Sequence, residues 1–290
     1  MVDHQRLIAA KKVVQASQRA SEGGAQSIDR AATLLLLVGR AGGTGARLAD
    51  LVAQSELSKP TVRRMLLALV RSSLLDQDQD TRAYHIGPEI YALGTLASTR
   101  FGIHGAALRS LVRLSEHSGD TAFLSVPRDV YSICLHREDG SYPIRVQALE
   151  AGDRHPLGVG AGSLAMLAAM TDAEVDAIIS ANIADGLLAK HPKYSATRLK
   201  ELVRETRSSG FALNPGMMLT GSWAIGVAIR DASRRPVGAL SIAAIEHRMT
   251  KQRQRELMPL LLAEAREVES RLLKAKAGGV PVRKKVTAKT

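Results

Sequence analysis

The segment SKPTVRRMLLALVR, residues 58–71, carries positive charge and no negative charge. Its polar side chains are Ser58, Lys59, Thr61, Arg63, Arg64 and Arg71. Lysine and arginine displace counterions from nucleic-acid phosphates, and hydroxyl and guanidinium groups bond to base edges. A carboxylate at the same place would be repelled by the phosphates. The segment therefore has the chemistry of a surface that contacts a polyanion.

The apolar residues of this segment predict how the polar ones are held. They are Val62, Met65, Leu66, Leu69 and Val70. Their spacing follows the i, i+3, i+4, i+7, i+8 rule of an amphipathic helix, and the basic side chains lie off the apolar stripe. For the helix alone, a solvated basic face is the favoured alternative. The neighbouring elements decide between the two interpretations.

Those neighbours predict a winged helix-turn-helix. Ser27 is placed to cap a helix through residue 38, a second helix covers 46–54, and Ser58 caps the third, whose first turn accommodates Pro60. Turn residues within LLDQDQDTRAYHIG, residues 74–87, predict a hairpin. The N-terminal end of the third helix is expected to meet base edges. Three hairpin acids count against DNA contact there and leave Arg82 to touch the backbone. These acids are Asp76, Asp78 and Asp80.

A second candidate site lies in PLGVGAGSLAMLA, residues 156–168. Gly158, Gly160 and Gly162 alternate and precede Ser163 at the start of a predicted helix. Glycines let a backbone approach a ligand, and free N–H groups at a helix start favour a carboxylate or phosphate. The spacing does not match a dinucleotide-binding fingerprint. A tight strand-to-helix turn is the alternative, and taken alone it is favoured.

The elements around this loop indicate an α/β domain. Predicted strands are TAFLSV, VYSICLH, IRVQAL, WAIGVAIRD and VGALSIAAI, and predicted helices cover 103–116, 162–170, 172–181, 195–209 and 250–273. Alternation along VGALSIAAI places Leu240, Ile242 and Ala244 on the face opposite Ser241. A buried serine satisfied by the backbone is an equal alternative for Ser241.

An enzyme is the rival class. Cys134 and His136 are two residues apart in ICLH, so on a regular strand they share a face and suggest a thiol–imidazole pair. Side chains so placed suit a nucleophile and base poorly, and no third group orients them. The histidines lack zinc spacing and the chain has no second cysteine. We therefore expect no catalytic residue, no metal and no cofactor.

Composition agrees with a nucleic-acid partner. The chain has 290 residues, enough for two domains, and a net charge of +12. Residues 274–290 hold six basic residues and no acid, which is half of the excess. The single cysteine excludes an intrachain disulfide framework. Because no apolar run could span a bilayer and no signal peptide is evident, we expect a soluble, cytoplasmic protein.

Several segments taken in order resemble an IclR-type transcriptional regulator. They are SIDRAATLLLLV, LADLVAQSELSKPTVRRMLLALVRSSLL, YHIGPEIYALG, SGDTAFLSV, HPLGVGAGSLAMLAAM, GFALNPG and PVGALSIAAIEHRM. The resemblance covers residues 27–273. It implies an α+β fold in which a winged helix-turn-helix is joined by a linker helix to a GAF-like effector-binding domain. It also implies a homodimer or dimer of dimers on operator DNA. Two family glycines are replaced, one by Glu56 and one near Ser73.

The resemblance also implies effector-binding residues. Ala161 and Gly162 match positions whose amides hold the effector's carboxylate, and Asn214 stands where the family commonly has an acid. The other expected residues are Ser163, Trp223, Ala224 and Ser241. Trp223 alternatively fills core. Because Asn214 removes a repulsion towards anions, the expected effector is a small organic acid, aromatic acids included.

The predicted organisation is therefore a mobile arm (1–26), a winged helix-turn-helix (27–87), a linker helix (88–101), a GAF-like domain (102–273) and a disordered basic tail (274–290). The predicted function is a sequence-specific, effector-controlled transcriptional regulator. A nucleic-acid-binding protein without ligand or sequence preference is the remaining alternative.

Overall fold

The computed structural model describes residues 25–98, 102–144, 146 and 148–277. The chain forms two compact units that divide between Ala97 and Ser98. The predicted mobile arm lies outside the described residues up to position 24, and the predicted disordered tail does so from position 278. Residues 274–277 belong to the last helix, so the tail prediction is wrong for those four positions.

The N-terminal unit begins with three helices. They are α1 (Gln26–Arg40), α2 (Leu48–Ser55) and α3 (Lys59–Arg71). Their shared core includes Leu34, Val38 and Leu51, together with Val62 and Leu66 from the predicted apolar stripe of α3. The stripe is therefore confirmed as the buried face. Burying such aliphatic side chains is the main source of stability for a small helical unit.

Two predicted helix starts need correction. Helix α1 begins before Ser27, with Ala25 at its N-cap position and no side-chain cap. Helix α2 begins at Leu48 rather than at Ala46, because Ala46 forms an antiparallel bridge with Tyr84. That long-range contact withdraws the residue from the helix.

A hairpin and a fourth helix complete the unit. Strands β1 (Leu75–Gln77) and β2 (Tyr84–Ile86) pair antiparallel, as the turn residues between them predict. Helix α4 (Pro88–Ser98) follows directly, and residues 99–101 of the predicted linker helix lie outside the described residues. Three helices with a hairpin after the third form the predicted winged helix-turn-helix.

The C-terminal unit is built on one antiparallel sheet of six strands in the order β5-β4-β3-β8-β7-β6. The strands are β3 (Thr121–Arg128), β4 (Tyr131–Glu138), β5 (Arg154–Pro156), β6 (Ala212–Pro215), β7 (Ser222–Arg230) and β8 (Pro236–Ile245). The helices are α5 (Ile103–Ser118), α6 (Ala161–Ala168), α7 (Asp172–Ala184), α8 (Ala196–Ser209) and α9 (Lys251–Ala277).

The two faces of this sheet differ in side-chain size. Helices α5 and α9 cover one face, where β7 and β8 contribute large side chains such as Ile225, Leu240 and Ile242. The opposite face carries Ala224, Gly226, Ser241 and other small residues and packs against α6. Because strand neighbours point to opposite faces, the alternation of large and small residues builds this asymmetry. Small side chains let α6 approach the strands closely.

One predicted strand is wrong, and two short strands were not predicted. The described residues between 144 and 149 form no strand, and β5 instead occupies the edge beside β4. Val146 is buried with Phe123, Cys134 and Ala243. The apolar alternation of IRVQAL therefore reflects a segment lying across the sheet rather than one paired at its edge. Strand β6 is the second unpredicted strand, and it pairs with β7.

Candidate DNA-binding surface and effector cavity

The exposed face of α3 is a cationic groove. Lys59, Arg63, Arg64 and Arg71 are all exposed, and with Pro60 and Leu67 they line a shallow depression of about 420 Å³. Within the part of the chain that the structure describes, none of the four forms an ion pair with a carboxylate. Their charge is therefore available to a partner.

The start of α3 presents hydroxyl groups. Ser58 occupies the N-cap position as predicted, but its side chain makes no capping bond. Its Oγ instead lies 2.9 Å from Oγ1 of Thr61, within hydrogen-bond distance. The first amide N–H groups of a helix have no partner within it, so they can bind an anion.

The hairpin uses one of its acids to close its own turn. Oδ1 of Asp78 accepts hydrogen bonds from the backbone N–H groups of Asp80 and Thr81 and from the Thr81 hydroxyl. The bonds from Thr81 hold the pKa of Asp78 below its usual value. Arg82 follows in the left-handed region, with φ of 59°, and its side chain is exposed.

Local arrangement, and not net charge, distinguishes this unit. Residues 25–97 contain eight basic and seven acidic residues, a net charge of only +1. Four of those eight basic residues lie on the exposed face of α3. The excess of +12 in the whole chain therefore comes mostly from other segments, and the positive surface here results from segregation on one helix.

The C-terminal unit encloses a small cavity between its sheet and the start of α6. The cavity measures about 30 Å³. Six of the seven predicted effector residues line it, namely Ala161, Gly162, Ser163, Asn214, Ala224 and Ser241. None of its described lining residues carries a lysine, arginine, aspartate or glutamate side chain. Any charged ligand would have to be bound by backbone and neutral polar groups.

Two glycines bring the backbone of α6 against the sheet. Gly160, at the N-cap position, has φ of 82°, a conformation that strongly favours glycine. A Cβ at Gly226 would lie 2.9 Å from the carbonyl carbon of Ala161 and from the amide nitrogen of Gly162. Strand β7 therefore needs glycine where α6 begins.

Side chains hold the loop before α6. The N–H of Gly158 donates to Oγ of Ser163 at 2.9 Å, and the N–H of Gly160 donates to the Tyr194 hydroxyl oxygen at 3.2 Å. Burial raises the pKa of Tyr194 to about 12. Ser163 thus stabilises the loop through its hydroxyl group, in addition to lining the cavity.

Asn214 presents its amide group in a defined way. Its Oδ1 accepts hydrogen bonds from the backbone N–H groups of Met217 at 2.9 Å and Met218 at 3.4 Å. With the oxygen occupied, the Nδ2 amino group is the part of the side chain available to a ligand. A donor at this position suits an anionic or carbonyl-bearing ligand.

Trp223 is not brought to the cavity. It pairs with Ala244 and packs against the core on the α5 and α9 face of the sheet. Its neighbour Ala224 lines the cavity, and consecutive strand residues point to opposite faces. The placement of Trp223 in the pocket is therefore wrong, and the core alternative describes it.

The thiol–imidazole pair is also not formed. Cys134 lies opposite Ser125, whereas His136 lies opposite Leu124, because the register shifts at this point and leaves Leu135 as an extra residue. This β-bulge puts the two side chains on opposite faces. Burial raises the pKa of the Cys134 thiol to about 12. Among the described residues, no cluster of His, Cys, Asp or Glu could hold a metal ion.

One residue in the cavity wall was not predicted. His155, on the short strand β5, is 4% exposed and lines the cavity. Burial, followed by the charge of His191, lowers the pKa of His155 to about 4, so its imidazole is uncharged at neutral pH. The sequence offered only a histidine directly before Pro156 and the glycine loop, with no recognisable spacing.

Comparison with known proteins agrees with both sites. The family model described as IclR helix-turn-helix domain matches residues 27–79, and the one described as bacterial transcriptional regulator IclR C-terminal matches residues 95–270. The regulator BhcR of Paracoccus denitrificans is 24% identical, covering 89% of this chain and 91% of its own length. The glycerol operon regulatory protein of Streptomyces coelicolor is 29% identical, covering 83% and 92%.

Solved structures show the same architecture. A putative IclR regulator from Silicibacter has a TM-score of 0.70 at 27% identity, covering 89% of this chain and 98% of its own. An IclR homologue from Microbacterium hydrocarbonoxydans, complexed with 4-hydroxybenzoate, has a TM-score of 0.69 at 17% identity, covering 86% and 99%. At that identity the second likeness concerns the fold.

The fold and the two sites define a DNA-binding transcriptional regulator whose C-terminal domain binds a ligand. The matched regions together span most of the chain. The chain belongs to the IclR family of transcriptional regulators, and its predicted α+β fold class is confirmed. In the described residues, no helix is both long and apolar enough to cross a membrane.

Proposed function

We propose that this regulator reads operator DNA with the exposed face of α3. The observation that supports the proposal is the groove lined by Lys59, Arg63, Arg64 and Arg71, whose charges are not paired with carboxylates among the described residues. Ser58, Lys59, Thr61 and Arg63 lie towards the N-terminal end, which meets base edges in such motifs. Arg64, Arg71 and Arg82 contact phosphates.

Single substitutions test this assignment. We expect Arg63→Ala to reduce discrimination between operator and random DNA, with a loss of about 1–3 kcal/mol on the operator. Arg64→Ala and Arg71→Ala should weaken binding to both, each lowering the salt slope by about 1. Fluorescence anisotropy at several salt concentrations measures these quantities.

Arg109→Ala is the matched control, because Arg109 is an exposed arginine on a helix of the other unit. Unchanged operator affinity after replacing Arg63, Arg64 and Arg71 together would contradict the assignment. Equal affinity of the wild-type protein for operator and random DNA at every salt concentration would instead favour the alternative of sequence-blind binding.

The effector in this proposal is a small organic acid. Its carboxylate binds the first amides of α6, at Ala161 and Gly162, and the Nδ2 group of Asn214 donates a further hydrogen bond. Ser163, Ala224 and Ser241 form the adjacent wall. Support comes from the neutral lining, which has no carboxylate to repel an anion, and from free N–H groups at a helix start.

Calorimetric titration with a panel of carboxylates, including 4-hydroxybenzoate because a protein of the same fold binds it, tests the effector class. We expect at least one acid to bind, and Asn214→Asp to weaken it by introducing a like charge. Binding of amines or uncharged ligands only would reject the proposal. Ser195→Asp serves as the control, since Ser195 caps α8 and does not line the cavity.

We also propose a homodimer or dimer of dimers acting in the cytoplasm, with third helices in successive major grooves. Large apolar side chains on α4 support an intermolecular contact: Tyr91 is 80% exposed and Leu96 is 71% exposed. Residues 27–87, 88–101 and 102–273 are the proposed domain limits. Sedimentation analysis tests the oligomer, and a monomer at operator-saturating concentration would exclude it.

A further inference from the structure

His155 is a buried imidazole with incomplete hydrogen bonding at the wall of the cavity. It is 4% exposed, and its Nδ1 has no hydrogen-bond partner among the described residues. Ser132 lies opposite it across β4 and β5, and the Ser132 hydroxyl is likewise buried without a partner in the described chain. Leaving a buried polar group unpaired costs about 1–3 kcal/mol, so such groups commonly mark a functional site.

The position of the ring relates it to the start of α6. A Cβ at Gly160 would lie 3.9 Å from Nε2 of His155, so this nitrogen faces the residue that immediately precedes α6. The amides of Ala161 and Gly162 follow directly and line the same cavity. A ligand whose carboxylate binds these amides therefore has its neighbouring carbon atom close to the imidazole.

The chemistry of the ring defines what it can bind. An uncharged imidazole carries one N–H donor and one nitrogen acceptor. It cannot replace a cation in binding a carboxylate, but it can donate to a carbonyl oxygen or accept from a hydroxyl group. The cavity of about 30 Å³ favours a small ligand.

We propose that His155 is an effector-binding residue that selects acids with a hydroxyl or carbonyl oxygen on the carbon next to the carboxylate. The imidazole hydrogen-bonds to that oxygen, while the α6 amides bind the carboxylate. This inference rests on the proposed effector class and goes beyond it by naming the second polar group and its partner.

The experiment compares lactate with propionate, which differ by one hydroxyl group, by calorimetric titration of the full-length protein. We expect wild-type protein to bind lactate about tenfold more tightly, the worth of one neutral buried hydrogen bond. His155→Phe should abolish that preference by weakening lactate alone. His136→Phe is the matched control, because that imidazole lies on the opposite face of the sheet and outside the cavity.

A second measurement does not depend on the variant folding. In ¹⁵N-histidine-labelled wild-type protein, saturating lactate should shift the His155 ring nitrogens, and propionate should not. Equal affinities for the two acids, a preference that survives in His155→Phe, or unmoved ring signals would overturn the inference alone. If neither acid nor any other carboxylate binds, the proposed effector class itself fails.

Discussion

At the scale of single residues, two positions in the N-terminal unit have backbone conformations that suit glycine. Glu56 ends α2 and Ser73 follows α3, and both have φ of 56°. These are the places where related regulators commonly have glycine, so the turns keep their geometry despite the replacements. A side chain in the left-handed region costs about 1–2 kcal/mol, whereas glycine loses about 0.5–1 kcal/mol more entropy on folding.

Glu56→Gly and Ser73→Gly should therefore each raise the free energy of unfolding by about 0.5–1 kcal/mol. Urea denaturation measures the change. Ala53→Gly, in the right-handed interior of α2, is the control and should lower the same free energy by about 1 kcal/mol. Loss of stability in both test variants would show that their side chains, and not their backbone, dominate at these turns.

At the scale of elements, the contact between β7 and the start of α6 shapes the cavity. Gly226→Ala forces the two backbones apart, because the new Cβ would lie 2.9 Å from backbone atoms. We expect the free energy of unfolding to fall by about 1–3 kcal/mol and effector affinity to fall with it. Gly105→Ala, on α5 with open space around it, should instead stabilise by about 0.5–1 kcal/mol. Unaltered effector affinity in a stable Gly226→Ala protein would contradict this role of the contact.

At the scale of the whole molecule, DNA and effector sites belong to different units of one chain. If binding at one site alters the other, the factor must be the same in both directions, typically about 5–150-fold. Effector affinity with and without operator duplex, and operator affinity with and without effector, should therefore change by equal factors. The Arg63→Ala, Arg64→Ala double variant is the control, since added duplex should no longer alter its effector affinity. Unequal factors would show that the two equilibria are not linked as proposed.

The sequence by itself determined the local parts of this protein. The 3.6-residue repeat of α3, the turn residues of the hairpin, and the alternation along β8 each specify which side chains are buried within a few residues of chain. The segregated charge of α3 was readable for the same reason. The predicted faces of α3 and β8 are confirmed, and the roles of their polar side chains stay predictions.

The tertiary structure decided whatever depends on partners distant in sequence. The bridge between Ala46 and Tyr84 delays α2, and the bulge at Leu135 separates Cys134 from His136. Pairing of β5 with β4 brings His155 to the cavity, although no local pattern marks that residue. Strand pairing and register are set by contacts between segments tens of residues apart, so a repeat read along one segment does not contain them.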